Sequence, residues 1–334
     1  MKRKRIHFYF LAAILSILLS SLASAQLTKL NVGYSAISEE QLPAWIAKET
    51  GIFEKNGLDV QLIYFTGGTT TVQALVSGEV PISQVAGPAV VNSALAGSDI
   101  ILIAGGATSL DYWLMSRPEI KRPEQLKGGS VAISAFGTAS DFVARYALEK
   151  IGLTPGKDVA IVQVGGVPDR LGALLAGKVE AAVLVPPSMF IGQKKGLSIL
   201  ADVSKLGLPF QYTGVATTRR FIREHPDTIR RYARSQLEAV HRIYTDKQTS
   251  LQVLKKYFRG NVDPDLLEKT WELLTERTLF PKKQYPTIEG LKFILASLVE
   301  KDAKAKAAKP EDFVDLRFIK ELDQSGYIDN LYKR

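Results

Sequence analysis

The chain of 334 residues has no cysteine and only three histidines. The absence of cysteine excludes disulfides, a thiol nucleophile and thiolate metal sites. It also excludes the lipid anchor of exported lipoproteins, which is attached to a cysteine. The three histidines are scattered: His7 lies in an N-terminal apolar segment, His225 precedes Pro226 in an arginine-rich stretch, and His241 sits inside a predicted helix. None neighbours a serine or carboxylate in a catalytic pattern, and no His/Asp/Glu cluster has metal-ligand spacing. No catalytic residue, no metal and no cofactor is therefore expected. The Gly-Gly turns lack the Lys-Ser/Thr of a phosphate loop and the spacing of a dinucleotide fingerprint. No basic–aromatic platform points to nucleic acid. Past the first 25 residues no apolar run is long enough to span a membrane.

The first 25 residues read as a targeting segment. Met1-Lys2-Arg3-Lys4-Arg5 is basic, Phe8 to Leu22 is an apolar run broken only by serine, and Ala23-Ser24-Ala25 offers small residues for cleavage before Gln26. The expected mature protein is exported, free of a membrane anchor and located in the periplasm. Removing the four N-terminal cations lowers the formal charge from +9 to +5, weak attraction for any polyanion. A hydrophobic fraction of 46% and a charged fraction of 23% are those of an ordinary globular protein, with length enough for two domains.

One unit occurs twice. Gly67-Gly68-Thr69 leads through Ala74-Leu75-Val76-Ser77-Gly78 to Glu79-Val80. Gly165-Gly166-Val167 leads through Ala173-Leu174-Leu175-Ala176-Gly177 to Lys178-Val179. Each reads as a glycine turn, a short amphipathic helix, a glycine stop and a strand, with Gly78 and Gly177 suited to the left-handed position past a helix end. Around these units strand and helix alternate: strands at 30–34, 58–65, 80–85, 100–104, 113–116, 131–134, 159–164, 181–185, 199–201 and 214–217, with helices between them. From Pro226 onward the pattern is mainly helical, with segments at 226–244, 250–258, 264–275, 287–300 and 313–325. The alternation predicts an α/β protein of two lobes, each a mostly parallel sheet flanked by helices. The first lobe takes residues 26–111, the second 112–212, and residues 213–334 return to the first. Two crossings, near 109–113 and 211–215, make a hinge about a cleft.

Ligands of open α/β sheets bind beyond the carboxyl ends of the strands, where helix N-termini present free N–H groups. The candidate ligand-binding residues fall in the loops there: Tyr34, Ser35, Gln41, Gly68, Thr69, Thr70, Gly87, Thr108, Phe136, Gly137, Thr138, Ser140, Gly166 and Pro186, with Tyr112 and Tyr212 flanking the crossings. Glycines allow close backbone approach and hydroxyls add donors, a set suited to a carboxylate, sulfonate or similar polar group. The two repeat units differ. Thr69 and Thr70 give the first its hydroxyls, and Val167-Pro168 leave the second apolar, so the second lobe's polar contacts are expected from Gly137-Thr138-Ala139-Ser140. Asp141, Asp169 and Arg170 sit near the cleft; they have two readings, contact with a charged ligand or helix capping and surface pairing, and the second is the expected one.

The stretch from Leu42-Pro43-Ala44-Trp45 through Gly51-Ile52-Phe53 to Gly57-Leu58-Asp59-Val60 resembles the helix, glycine turn and second strand of a known family. Gly67-Gly68-Thr69, Gly78-Glu79-Val80, Gly137-Thr138, Ser140 and Ala181 to Pro187 are similar to its later landmarks. The family is that of the periplasmic solute-binding proteins of ABC importers for nitrate, sulfonates, taurine and thiamine-pyrimidine precursors. The resemblance covers the mature chain. It implies a type II two-lobed binding fold, a small polar or anionic organic solute (sulfonate, carboxylate or pyrimidine-like) held between the lobes, no catalysis, a monomer, and delivery to a permease and ATPase complex. Pro81 stands where the family commonly has Asp. The family's enzymatic offshoot looks to need a cysteine-rich motif, which this chain lacks. Two other functions are compatible with the same fold: an enzyme acting on a small cyclic carboxylate, and a ligand-sensing partner of a membrane receptor.

Overall fold

The structure is a computed structural model that describes residues 26–260, 262–300 and 302–333. The targeting segment, residues 1–25, lies outside the described residues. The first half of the chain lays down β1 (Thr28–Tyr34), β2 (Leu58–Tyr64), β3 (Ile82–Ala86) and β4 (Ile100–Gly105). Then follow β5 (Trp113–Ser116), β6 (Ser130–Ile133), β7 (Ala160–Gln163), β8 (Ala181–Leu184) and β9 (Ser198–Asp202), and finally β10 (Thr213–Thr218).

These strands form two sheets of five. Their orders are β2-β1-β3-β10-β4 and β7-β6-β8-β5-β9. In the first, β1 pairs in parallel with β2 and β3, and β10 is antiparallel to β3 and β4. In the second, β6 pairs in parallel with β7 and β8, and β5 is antiparallel to β8 and β9. Four strands of each sheet thus share one direction. The fifth is the one that enters from the other sheet. The reason is geometric: the crossing leaves from the carboxyl end of a strand, so the strand it feeds starts at the same end and runs away from it.

Local sequence explains the elements that carry the cleft. The helix Leu42–Glu49 has Pro43 in its first turn, where the missing N–H costs no helical bond. It buries Leu42 to Ala47, and Gly51 ends it at φ 70°. The first repeat unit folds as the helix Gly68–Ser77 with Gly78 left-handed at φ 85°. The second folds as the helix Val167–Leu175, with Gly177 at φ 67°. β3, β8 and β10 are buried throughout, as central strands covered on both faces require, and the edge strand β4 is buried as well.

The crossings lie side by side. Tyr212 and Thr213 donate from their backbone N–H groups to the Ala107 carbonyl, each at 3.1 Å. The Ala107 N–H donates to Thr213 Oγ1 at 3.0 Å. Arg277, on the returning part of the chain, fastens the first crossing through Asp111 at 2.7 Å and lies over the Trp113 ring.

The C-terminal part departs from expectation in two places. The helix expected over 313–325 is interrupted. Pro310–Phe313 is a 3-10 turn, Val314 bridges Leu102 of β4, and the Asp315 N–H donates to the Leu102 carbonyl at 2.7 Å. Covering the open edge of β4 outweighs helix continuation there, and the helix starts only at Arg317–Gln324, followed by Tyr327–Leu331. The helix expected over 287–300 ends at Leu298. Asp302 starts a separate short helix, Ala303–Ala307, by accepting from the Lys304 N–H at 2.9 Å.

Candidate ligand cleft

Between the sheets, at the carboxyl ends of β1, β3 and β6, lies a cavity of about 40 Å³. That is room for a few waters. The first sheet's loops supply Ser35, Ala36, Glu40, Gly67, Gly68 and Ala86. The crossings supply Tyr112, Tyr212 and Thr213. From the second sheet's side come Ser134, Thr138, Ala139, Ser140, Gly166, Val167 and Arg170. Three helix starts converge here, at Gly68, Ala139 and Val167. Their free N–H groups and partial positive charge favour acceptor oxygens.

Arg170 is the central cation. It is 2% exposed. Its Nε donates to the Val183 carbonyl at 3.0 Å and its Nη1 to the Gly165 carbonyl at 2.8 Å. No carboxylate pairs with it among the described residues. Its position in the fold explains its direction: a side chain in the first turns of a helix leans toward the helix start, here toward the cavity. Burial lowers its pKa, opposed by the negative potential of the Tyr112, Tyr212 and Glu40 side chains.

Opposite it are acids. Glu39 and Glu40 form the 3-10 turn Glu39–Gln41 ahead of the helix Leu42–Glu49 and are 1% and 4% exposed. Glu40 lines the cavity, and its Oε2 has no hydrogen-bond partner among the described residues. Burial holds both carboxyls above the usual range, and Glu40 and Asp111 push Glu39 further the same way. Tyr112 and Tyr212 pack at 5.2 Å between ring centroids. Burial raises both hydroxyl pKa values, and the Tyr212 hydroxyl has no partner among the described residues.

The hydroxyl wall is built from one loop. Ser134, Thr138 and Ser140 hydroxyls bond one another at 2.8 to 3.0 Å. Thr138 also donates to the Ala135 carbonyl at 2.7 Å. Thr138 occupies the N-cap of the helix Ala139–Lys150, yet its hydroxyl makes no cap bond.

Of the residues expected at the site, Ser35, Gly68, Tyr112, Thr138, Ser140, Gly166 and Tyr212 line the cavity. The others sit around it in identifiable roles. Gln41 is fully buried behind Ser35, to whose hydroxyl its amide donates at 3.4 Å. Tyr34 packs into an aromatic cluster with Trp45, Tyr64 and Tyr257. Thr69 and Thr70 are exposed on the rim, where Thr69 Oγ1 donates to the Phe136 carbonyl at 3.3 Å. Phe136 is half exposed, and the Gly137 carbonyl accepts from Asn92 Nδ2 at 3.1 Å. Gly87 is a packing glycine: its N–H donates to the Gln211 carbonyl, and an added Cβ would stand 2.4 Å from that oxygen. Thr108 donates from its backbone to the Leu279 carbonyl, and Pro186 is buried next to β8.

Two expectations are corrected. Arg170 is no surface-pairing residue, because its helix places it inside the cleft. The second repeat unit is accordingly not apolar, since it delivers the guanidinium. Glu40, Ser134 and Thr213 were not anticipated. Arg170 carried a usable signal, because a cation near a helix N-terminus opposes the helix dipole and so asks for a reason. Glu40 carried none: nothing in its neighbours marks it as buried.

The sequence profile of the NMT1-like family matches residues 23–255. "Putative binding protein YtlA" of Bacillus subtilis (strain 168) is 25% identical over 273 residues, covering 74% of this chain and 82% of that protein. "Putative ABC transporter periplasmic binding protein BHWA1_00430" of Brachyspira hyodysenteriae is 27% identical over 230 residues, 64% of this chain and 65% of its own length. The alkanesulfonate-binding protein SsuA from Xanthomonas axonopodis pv. citri, solved bound to MOPS, superposes with a TM-score of 0.69 at 18% identity, covering 86% of this chain and 96% of SsuA. This chain belongs to the NMT1-like family and has the two-lobed fold of the periplasmic binding proteins.

Proposed function

We propose that this protein is the solute-binding component of an ABC importer. It acts in the periplasm as a monomer and captures a small polar or anionic organic solute, of sulfonate, carboxylate or pyrimidine-like chemistry. Residues 26–111 with 213–334 form one jaw and residues 112–212 the other. Closure excludes water and strengthens the bonds made inside. A permease and ATPase complex receives the solute.

The observation that carries this reading is the buried, carboxylate-free guanidinium of Arg170 in a cavity walled from both sheets. An arginine in that state costs stability unless something accepts from it. The rim bonds Thr69–Phe136 and Asn92–Gly137 join the two sides of the cleft, contacts that closure on a solute would use. The test is a thermal-shift panel of sulfonates, carboxylates and pyrimidines. A bound solute at a hundred times its Kd stabilises by about 2.7 kcal/mol. A panel that shifts nothing, with no compound co-purifying, sinks the proposal. Recovery of a bound compound in chemically altered form would instead indicate catalysis.

A further inference from the structure

Two charged side chains of opposite sign line one small cavity without touching. Arg170, 2% exposed, donates to two backbone carbonyls and to no carboxylate among the described residues. Its Nη2 makes no hydrogen bond among the described residues. Glu40, 4% exposed, and the Tyr212 hydroxyl, 1% exposed, lie near each other, and neither Glu40 Oε2 nor that hydroxyl completes a hydrogen bond among the described residues. All three residues line the cavity. Neither charge can move to meet the other cheaply. Arg170 is tethered at both ends of its guanidinium by Val183 and Gly165, and Glu40 belongs to the 3-10 turn that starts a buried helix.

The unmet needs are therefore of two kinds. Arg170 and the three helix starts need acceptor oxygens, and Glu40 needs a donor. A plain anion answers the first need and leaves its own charge facing a buried carboxylate. We infer that the solute seated here is amphoteric: it presents an N–H donor, as ammonium, amino or amide, beside its acceptor oxygens, and so bridges Glu40 and Arg170. This rests on the solute-binding reading above and narrows it. A site built to receive a donor discriminates strongly against the analogue that lacks it, because the buried acceptor is then left unpaired.

The test uses matched pairs that differ in the donor: 2-aminoethanesulfonate with ethanesulfonate, β-alanine with propanoate, and 4-aminobenzoate with benzoate. Binding to the mature protein is read by calorimetry, and the compound that co-purifies from cells is identified by mass spectrometry. The expected result is that the amino member of at least one pair binds about tenfold or more tightly than its partner. Glu40→Gln should shrink that preference to less than about threefold, since the amide is a weaker acceptor. Gly172→Ala, outside the cavity lining and with nothing within 4 Å of the added Cβ, should keep the preference and serves as the folding control. The inference is overturned if the donor-free members bind as well, if Glu40→Gln tightens them while wild type shows no preference, or if the co-purifying compound has no N–H donor. In those cases solute binding stands and only its amphoteric character falls. If none of the six compounds binds and nothing co-purifies, the solute-binding reading itself fails.

Discussion

The two repeat units share a backbone and divide the chemistry. Each runs from a positive-φ glycine, Gly67 at 83° or Gly165 at 117°, through a second glycine into a short helix that starts at the cavity. The first brings bare backbone: Gly68 lines the cavity, and its hydroxyl residues Thr69 and Thr70 stay on the rim. The second brings Arg170. The acids sit on the opposite side, with Glu39 and Glu40 in the first jaw. Matching turns thus fix where groups can be placed, and the side chains one helical turn later decide what is placed there.

The strongest way to break this comparison is to remove the guanidinium. Arg170→Met should weaken binding of any co-purifying solute by about a hundredfold or more, the value of losing charged hydrogen bonds. It should also cost about 1–3 kcal/mol in urea denaturation, because the Gly165 and Val183 carbonyls lose buried donors. Binding within threefold of wild type would remove Arg170 from the site.

The glycines of the two units should behave oppositely. An added Cβ at Gly68 would stand 2.9 Å from Ala89 Cβ, whereas Gly172, inside the second helix, has nothing within 4 Å. Gly68→Ala should therefore destabilise by about 1–3 kcal/mol, and Gly172→Ala should stabilise by about 0.5–1 kcal/mol. Equal signs in thermal melts would contradict the packing difference.

The acids of the first jaw should show themselves through pH. Burial raises the Glu39 pKa above its ordinary 4.5. The folded state then holds the proton more tightly than the unfolded chain, so wild type loses stability as pH rises from near 4.5 through the raised value. Glu39→Gln removes that loss. Its melting temperature should match wild type near pH 4 and exceed it at neutral pH by a few degrees, about 2–4 °C per kcal/mol. A variant less stable than wild type at pH 7 would mean that the carboxylate is compensated in a way the geometry does not reveal. The smallest effect belongs to the rim. Thr69→Ala deletes one exposed bond of 3.3 Å and should change stability by less than about 0.5 kcal/mol, with a similarly small effect on affinity.

The fold was legible in the sequence because its elements are punctuated. Pro226 and Pro264 open helices as N-terminal prolines do, glycines close the repeat helices, and Trp113–Ser116 forms the expected strand. The break at Val314 was not legible, since a helical pattern does not show that a distant strand edge needs covering. At the site, Tyr112 and Tyr212 were readable as aromatics beside the crossings. Thr69 and Thr70 lie on the rim, and a hydroxyl at a helix start reads the same there as in the cleft. Gly87 packs against Gln211, and packing and ligand approach ask for the same residue. Glu40 was masked by composition, which counts charges without saying which are buried, whereas Arg170 was marked by its place near a helix N-terminus.

The exchange of strands between the sheets governs when each jaw can form during synthesis. β4 pairs with β10 on one side and is bridged by Val314 near its other edge. Both neighbours are made after residue 212. At roughly 5–20 residues per second, a strand finished at Gly105 waits several seconds or more for Thr213–Thr218. The first jaw, although it begins the chain, has to be completed after the second.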